Sequence, residues 1–325
     1  MRYIRKSFSI LLIILILSVI NYAGCSKAQN DNAKNVSDGK FTITFLDVGE
    51  GDCVIAKLPD GKILMVDCGE KTSFNTQSIV SVLQDYGSSV IDYLVLTHPD
   101  NDHIGNARYV INNYKVKNVY IPKIMDTSSY TEFDHVLSLL KQKSINTINP
   151  TTYLSISNQD YLIAFLSPLA TDGKSSDYYS EFNGYSQPSN MQINDLSPII
   201  YIQCMGMRVL LTSDASQTQE NLLLQNYFSG FYNAVFGNGK INLVGVDICQ
   251  LGGHGDNSSS SLEFLTLLSP KNAVISCGTG NSFSHPSTAV IERLVTASPN
   301  VKLWRTDVYS NICIKATKNA SYTIN

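Results

Sequence analysis

Residues 97–103 read Thr-His-Pro-Asp-Asn-Asp-His, and this heptapeptide decides how the rest of the chain is interpreted. It ends a near-continuous apolar run of the kind found in a buried strand. Imidazole and carboxylate groups, the common ligands of divalent transition metals, therefore converge where the backbone turns. The alternating spacing predicts that His98 and Asp100 bind one metal while Asp102 and His103 bind a neighbouring one, which is a dinuclear pattern.

A simpler alternative is a polar turn in which Asp102 caps a helix that begins near Ile104. The positions of the other histidines argue against it. His254 and His285 also follow predicted strands, in loops bounded by glycine, serine or proline. His135 lies inside a predicted helix and is expected at the surface. Four histidines on strand-end loops are what a metal cleft at one edge of a sheet sandwich requires.

The first 25 residues have the pattern of an export signal, because basic residues precede an apolar run over 10–20 that is short for a membrane span. Residues 22–25, Tyr-Ala-Gly-Cys, resemble a bacterial lipobox, in which Cys25 is lipidated. Ordinary secretory cleavage and an uncleaved anchor are the alternatives, and all three place the protein outside the cytoplasm. Residues 26–40 have few apolar side chains and predict a flexible tether, so that 41–325 form the folded domain.

Composition limits the function classes that fit the chain. The 325 residues carry a formal net charge of -3, so the broad basic field of a protein that grips nucleic acid by its phosphates is absent. Strand-like and helix-like segments alternate in one continuous series, which predicts an α/β fold with two mixed sheets covered by helices. The series opens with a hairpin around the turn at 59–61.

Several segments carry specific expectations. Helices are predicted from Ser78 to Tyr86 and from about Ile104 to Asn113, and a strand from Val244 to Gln250. The long polar stretch 167–194 predicts a loop or lid, whereas the pattern leaves the role of 227–240 open.

The cysteines after Cys25 lack the close spacing of zinc or redox motifs. Buried small side chains are the expected interpretation. An exported protein also permits a disulfide, for which Cys53 and Cys68 are the first candidates.

The heptapeptide resembles the THxHxDH signature of the metallo-β-lactamase superfamily, and further motifs follow in that family's order. Asp67 lies in a sequence similar to the Asp-x-Gly motif, and Asp214 in one similar to the Thr-Gly-Asp motif, whose carboxylate bridges two metals. His254 resembles the last metal-binding histidine. The resemblance extends from Phe41 to the C-terminus and implies an αββα sandwich.

Two motifs resemble more specifically the C-terminal domain of ComEC-type DNA-uptake proteins: FLDVGEGDC at 45–53 and Ser-His-Pro at 284–286. Asp100 replaces the second histidine of the general signature, and this harder ligand shifts preference toward Mn or Fe without excluding Zn. The histidine of the family's third motif has no counterpart, and Asp195 occupies that region as a candidate ligand or supporting residue. Gly253 stands where ComEC-like sequences often have histidine.

The resemblance implies a two-metal hydrolase with Zn or Mn, or Fe. The implied ligands are His98 and Asp100 on one ion, Asp102, His103 and His254 on the other, and Asp214 between them. Asp102 and His285 are the candidate catalytic residues, although His285 is also compatible with a loop residue held by Pro286. Asp67 is expected to order the loop beneath the metals.

The implied substrate is a phosphodiester, in nucleic acid, a nucleotide or a wall polymer. The implied membrane contact is a lipid anchor on Cys25, and the sequence shows no sign of a protein partner. The alternative is a surface lipoprotein that keeps the fold for binding or sensing after losing some ligands.

Overall fold

The computed structural model describes residues 38–124, 126–169, 193–317 and 321–325. In chain order the strands in these ranges are β1 (Phe41–Phe45), β2 (Val54–Lys57), β3 (Ile63–Val66), β4 (Val90–Val95), β5 (Lys115–Tyr120), β6 (Asn146–Ile148), β7 (Ser155–Ser157), β8 (Tyr161–Phe165), β9 (Ile200–Cys204), β10 (Met207–Leu211), β11 (Ile248–Gln250), β12 (Asn272–Ile275), β13 (Lys302–Arg305), β14 (Ile312–Thr317) and β15 (Ser321–Ile324). The helices are α1 (Ser73–Asp85), α2 (Asn101–Ile104), α3 (Ala107–Asn113), α4 (Thr131–Gln142), α5 (Gln217–Phe228), α6 (Phe231–Phe236), α7 (Leu262–Leu268), α8 (Thr288–Ala297) and α9 (Thr306–Tyr309). The predicted signal with Cys25, most of the tether and most of the stretch 167–194 lie outside the described residues.

The described strands form two mixed sheets. One has the order β15-β14-β1-β2-β3-β4-β5-β6 and the other β13-β12-β11-β10-β9-β8-β7. Strands β3 to β6 are parallel in the first sheet, and strands β10 to β13 are parallel in the second. The other neighbours are antiparallel. Each sheet therefore contains a parallel half, in which adjacent strands end at the same edge.

The two sheets pack face to face across an apolar layer. Alternate residues of β1, Phe41, Ile43 and Phe45, are fully buried and cluster with Ile200 and Ile202 of β9. Helices α1, α3 and α4 cover the outer face of the first sheet, and α5, α7 and α8 cover that of the second. The predicted αββα sandwich is therefore confirmed. No helix in the described ranges combines the length and apolar character needed to cross a membrane.

The structure corrects the first residues of one predicted helix and one predicted strand. The helix expected from about Ile104 to Asn113 begins only at Ala107, because the backbone of Asn106, at φ -92° and ψ 2°, separates it from α2. The strand expected from Val244 begins only at Ile248, since Gly245 has φ +67° and interrupts the extended backbone. The hairpin around 59–61 is confirmed by the antiparallel pairing of β2 and β3.

Further differences concern a helix start and the cysteines. Helix α1 begins at Ser73, not Ser78, because the Thr72 side chain accepts a hydrogen bond from the Asn75 amide and caps it. The stretch 227–240 contains the end of α5 and all of α6.

The suspected disulfide is wrong: Cys53 and Cys68 are free thiols. Both are fully buried in the apolar layer between the first sheet and its helices, as small hydrophobic residues.

Candidate metal centre

Strand ends from both sheets bring the predicted ligands together. Asp67 follows β3 and residues 97–103 follow β4, which are parallel neighbours in the first sheet. Asp214 follows β10 and His254 follows β11, which are parallel neighbours in the second sheet. Because the carboxyl ends of parallel strands open onto one edge, side chains from both sheets meet there.

The acidic residues of the heptapeptide are free to face this cluster. The backbone of Asp100 forms the N-cap of α2 without a side-chain hydrogen bond, and Asp102 lies inside the first turn. The alternative in which Asp102 merely caps a helix is therefore wrong.

Two imidazoles are oriented by their outer ring nitrogens. His103 Nδ1 lies 2.9 Å from Oδ2 of Asp67, which is itself fully buried. His254 Nδ1 lies 3.0 Å from the carbonyl oxygen of Ser276. Because a carbonyl oxygen only accepts, the proton of a neutral His254 must reside on Nδ1. Both rings are thereby held with Nε2 turned into the cluster, as metal-binding histidines usually are.

His98 is oriented in a similar way by hydroxyl groups. Its Nδ1 lies 3.1 Å from Oγ1 of Thr97 and 3.2 Å from Oγ of Ser197. The ring is fully buried, and its centroid is 4.1 Å from that of His103. The two rings of the heptapeptide are therefore neighbours that present Nε2 to the same space.

The Asp214 carboxylate separates the surrounding groups into two sets. Its Oδ2 lies 3.8 Å from Nε2 of His98, whose Nε2 is also 3.7 Å from Oδ2 of Asp100. Its Oδ1 lies 3.5 Å from Nε2 of His103 and 3.7 Å from Nε2 of His254. One carboxylate oxygen of Asp214 thus faces each set.

Asp102 completes the second set. Its Oδ2 lies 3.3 Å from Nε2 of His254 and 3.6 Å from Nε2 of His103. The side chain is 35% exposed, whereas that of Asp214 is 10% exposed. Asp102 therefore stands at the solvent side of the cluster and Asp214 at its floor.

Buried atoms without partners indicate that the cluster suits a cation. Among the described residues, Nε2 of His98, His103 and His254 and Oδ1 of Asp214 are buried and make no hydrogen bond. Leaving such atoms unsatisfied costs about 1–3 kcal/mol each. Ligand atoms of His98, His103 and Asp214, and likewise of Asp102, His103 and His254, lie within 4.8 Å of one another. These nitrogen and oxygen donors fit a divalent transition metal.

Interactions between the carboxylates and imidazoles of the cluster shift their pKa values. Burial opposes ionisation of Asp102, but His103 and His254 outweigh it and lower its pKa to about 2. Burial also disfavours charge on His254, yet Asp214 and Asp102 raise its pKa to about 10. Burial lowers the pKa of His98. The carboxylates that favour a proton on His254 would equally favour a metal cation there, so the two would compete.

Asp52 is a member of the cluster that the sequence prediction missed. It is nearly fully buried, and Oδ2 accepts a hydrogen bond of 2.8 Å from Nε2 of Gln250, whereas Oδ1 has no partner. It groups with Asp214 and His254 within ligand distance. Burial raises its pKa to about 6. Its motif, FLDVGEGDC, was recognised, but the chain separation from the heptapeptide hid the contact.

In the region of the absent third-motif histidine, Asn194 lies closer to the cluster than the predicted Asp195. Nδ2 of Asn194 is 3.5 Å from Oδ2 of Asp214, and its Oδ1 is buried without a partner. Asp195 instead accepts a hydrogen bond of 2.5 Å from Oγ of Ser216, which caps α5. The interpretation of Asp195 as a metal ligand therefore has no support from its contacts, and its role is local to the start of α5.

A close backbone approach holds the heptapeptide loop against the loop between β1 and β2. Gly51 has φ +146°, and a Cβ on it would lie 2.3 Å from the Asp102 carbonyl oxygen. The next amide, that of Asp52, donates to the same carbonyl at 3.2 Å. Asp67 has φ +58° and His254 φ +55°, in a region that non-glycine residues adopt at a cost. Two residues of the cluster are therefore held in a left-handed backbone conformation.

The remaining histidines divide as expected. The His285 ring lies beside the cluster, with its centroid 6.2 Å from that of His254. His135 is 52% exposed on α4, beside Glu132, and takes no part.

Comparison with known proteins agrees with this geometry. A family model described as the metallo-beta-lactamase superfamily matches residues 46–174. The chain is 27% identical over 283 residues to ComE operon protein 3 of Bacillus subtilis (strain 168), covering 82% of this chain and 32% of that protein. It is 27% identical over 275 residues to competence protein ComA of Neisseria gonorrhoeae, covering 84% and 32% respectively. The chain thus spans about a third of the length of these relatives.

A solved structure with the same fold is CmlA, a diiron beta-hydroxylase from Streptomyces venezuelae. It superimposes with a TM-score of 0.52 at 14% identity, over 86% of this chain and 55% of that one. Sheet order, sequence motifs and relatives lead to one conclusion. This chain has the metallo-β-lactamase fold, and it is homologous to the ComEC-type competence proteins.

Proposed function

We propose that this chain is a two-metal hydrolase of phosphodiesters. The observation that supports it best is the placement of Asp214, whose two carboxylate oxygens face separate sets of ligands. His98 and Asp100 would hold one ion with Asp214. Asp102, His103 and His254 would hold the other. Zn or Mn suits these donors, and Fe is compatible with them.

The chemistry follows from what the protein residues can hold in place. When bound, two divalent cations acidify water and offset the charge that develops on a phosphoester. In this proposal Asp102, at the solvent side, would accept a proton from the attacking water. His285, whose ring centroid is 6.2 Å from that of His254, would give a proton to the leaving oxygen.

A phosphodiester is favoured over a β-lactam by two observations. Asp100 would supply an oxygen ligand where the general signature has histidine, and one relative is named a competence protein. The net charge of -3 gives no support to tight binding of long DNA. Nucleotides and wall polymers are therefore as compatible with the proposal as DNA is.

A non-catalytic binding protein is the competing proposal. It draws on Gly253, where related sequences often have histidine, and on Asn194 in the region of the third motif. Both changes reduce the number of imidazoles. An inactive protein that still binds two ions would favour this second function.

The proposed location is outside the cytoplasm, with Cys25 as a lipid anchor. Support comes from the export-like pattern of the first 25 residues. Mass spectrometry of the native N-terminus should find a diacylglyceryl group on Cys25. An unmodified terminus at another residue would reject lipidation.

The decisive experiment measures metal content and hydrolysis together. The purified chain is loaded with Mn or Zn and assayed on bis(p-nitrophenyl) phosphate and on single-stranded DNA. We expect two ions per chain, and fewer ions with greatly reduced hydrolysis after Asp102→Ala or His103→Ala. His135→Ala is the matched control, because His135 lies on the exposed face of α4. Undiminished metal content and hydrolysis in Asp102→Ala would contradict the two-metal assignment.

A further inference from the structure

Glu50, in the loop between β1 and β2, contacts His285 from across the cleft. Its Oε1 is hydrogen-bonded to Nδ1 of His285. Its Oε2 accepts a hydrogen bond of 2.8 Å from the Gly278 amide, in the loop that carries His285. The side chains of Glu50 and His285 are only 17% and 12% exposed. One carboxylate thus serves two donors of the opposite loop, and water has little access to either bond.

The backbone around this contact is also fixed. A Cβ on Gly278 would lie 2.8 Å from the backbone nitrogen of Glu50, so the two loops are pressed together. Asn281 holds the other side of the loop, since its Oδ1 accepts from the His285 amide at 2.9 Å and its Nδ2 donates to the His285 carbonyl at 2.8 Å. His285 is therefore held by both its main chain and its Nδ1.

The rest of the imidazole has defined surroundings. The Phe283 ring stacks on it at 5.5 Å between centroids and 15° between planes. Nε2 lies 3.6 Å from Oδ2 of Asp256, and the His254 ring lies 6.2 Å away between centroids. With Nδ1 engaged and one face covered, Nε2 is the ring nitrogen left to meet a substrate beside the metal cluster.

We propose that Glu50 is a positioning residue for His285: it accepts a hydrogen bond from Nδ1–H and so leaves Nε2 for proton transfer with the leaving group. This inference rests on the proposed phosphodiesterase function. As water attacks phosphorus, the bond from phosphorus to the leaving oxygen breaks and that oxygen keeps the electron pair. The oxygen takes the proton on Nε2 of the doubly protonated ring, which leaves neutral His285 with its proton on Nδ1. The attacking water loses a proton through Asp102 to solvent, and the ring regains one from solvent.

A carboxylate suits this position better than an amide. Both Nδ1–H of His285 and the Gly278 amide are donors, and a carboxylate offers an acceptor oxygen to each. Glutamine has one acceptor oxygen, and its NH₂ group would face one of the two donors. Glu50→Gln is therefore expected to weaken the contact and Glu50→Ala to abolish it.

The first test reads the tautomer directly in metal-free protein. Nitrogen-15 NMR of the histidine rings should show that neutral His285 carries its proton on Nδ1, and that the proton moves to Nε2 in Glu50→Ala. Glu263→Gln, an exposed glutamate of α7, is the control. Neutral His285 protonated on Nε2 in the unmodified chain would overturn the inference, whatever the activity of the protein.

The second test compares leaving groups in metal-loaded protein. A p-nitrophenolate leaves without a proton, whereas the alkoxide of a dinucleoside monophosphate needs one. We expect Glu50→Ala and Glu50→Gln to lower kcat on the dinucleotide about 10- to 100-fold more than kcat on bis(p-nitrophenyl) phosphate, with the metal content retained. His285→Ala should show the same selectivity, and adding Glu50→Ala to it should cost nothing further.

The outcomes separate the two proposals. Equal losses on both esters would refute the role of Glu50, since a general structural defect does not depend on the leaving group. If the unmodified metal-loaded chain hydrolyses neither ester, the proposed function fails, and the NMR measurement still decides whether Glu50 sets the His285 tautomer.

Discussion

Replacing Asp67 with asparagine is predicted to damage both stability and metal affinity. The carboxylate is fully buried, and its Oδ1 accepts from the Thr97 amide at 2.9 Å. Its Oδ2 accepts from Thr97 Oγ1 at 2.7 Å and contacts His103 Nδ1 at 2.9 Å. Asparagine keeps one acceptor oxygen, so its NH₂ group must face a donor. If the oxygen stays with His103, the Thr97 amide is left buried without an acceptor.

The expected loss is about 3 kcal/mol in the free energy of unfolding. An unsatisfied buried donor costs about 1–3 kcal/mol, and loss of charge assistance in the remaining bonds removes about 1 kcal/mol more. Freed from its partner, the His103 ring can also rotate or change tautomer. Metal affinity should therefore fall by about 10- to 100-fold.

Denaturant unfolding of metal-free protein measures the first quantity, and competition with a chromophoric chelator measures the second. Asp85→Asn is the matched control, because Asp85 is exposed at the end of α1 and should change stability by less than about 0.5 kcal/mol. The reasoning is refuted if Asp67→Asn unfolds and binds metal like the control.

Three further predictions concern other parts of the structure. Gly51→Ala should lower the free energy of unfolding by about 2–3 kcal/mol, because its Cβ would meet the Asp102 carbonyl at 2.3 Å; Gly49→Ala, in open space at φ +75°, should cost about 1 kcal/mol in the same denaturant titration. Burial raises the pKa of Glu220 from 4.5 to about 7, so the stability linked to its protonated form is complete below about pH 4.5 and lost as pH rises through about 7. Glu220→Gln should remove about 3 kcal/mol of that pH dependence, and parallel stability curves for the two proteins between about pH 5 and about pH 8 would contradict it. Because carboxylates raise the pKa of His254 to about 10, metal binding at neutral pH should release protons. Calorimetry in buffers of different ionisation enthalpy detects this release. Metal binding without proton release would show that the imidazoles were already neutral.

Local patterns were sufficient to predict much of the fold. The hairpin turn at 59–61 and the apolar run before the heptapeptide both reflect short-range chemistry. The break before α3 at Asn106 and the left-handed backbone of Gly245 were missed, because hydrophobic periodicity shows neither conformation. Helix α1 was placed too late because its capping residue, Thr72, precedes the apolar pattern.

The centre was predictable where one motif supplies several groups and less so where single residues contribute. The spacing of the heptapeptide predicted His98 and His103, and a motif resemblance predicted Asp214. Asp52 and Glu50 were not assigned, because an acidic residue in a glycine-rich loop looks like turn chemistry until its partner is known. Asp195 was predicted as a candidate because of its charge, whereas its uncharged neighbour Asn194 contacts Asp214.

Each proposed ion would draw ligands from both sheets: His98 or His103 from the first, and Asp214 or His254 from the second. These residues are far apart along the chain, so the ligand set exists only after the second sheet has docked on the first, a late step when distant segments must meet. Bound metal would therefore stabilise the docked pair of sheets relative to partly folded forms. Chelation should weaken the interface between the sheets before either sheet unfolds. The same heptapeptide, moved to a strand end of another protein, would lack its counterparts and bind metal weakly.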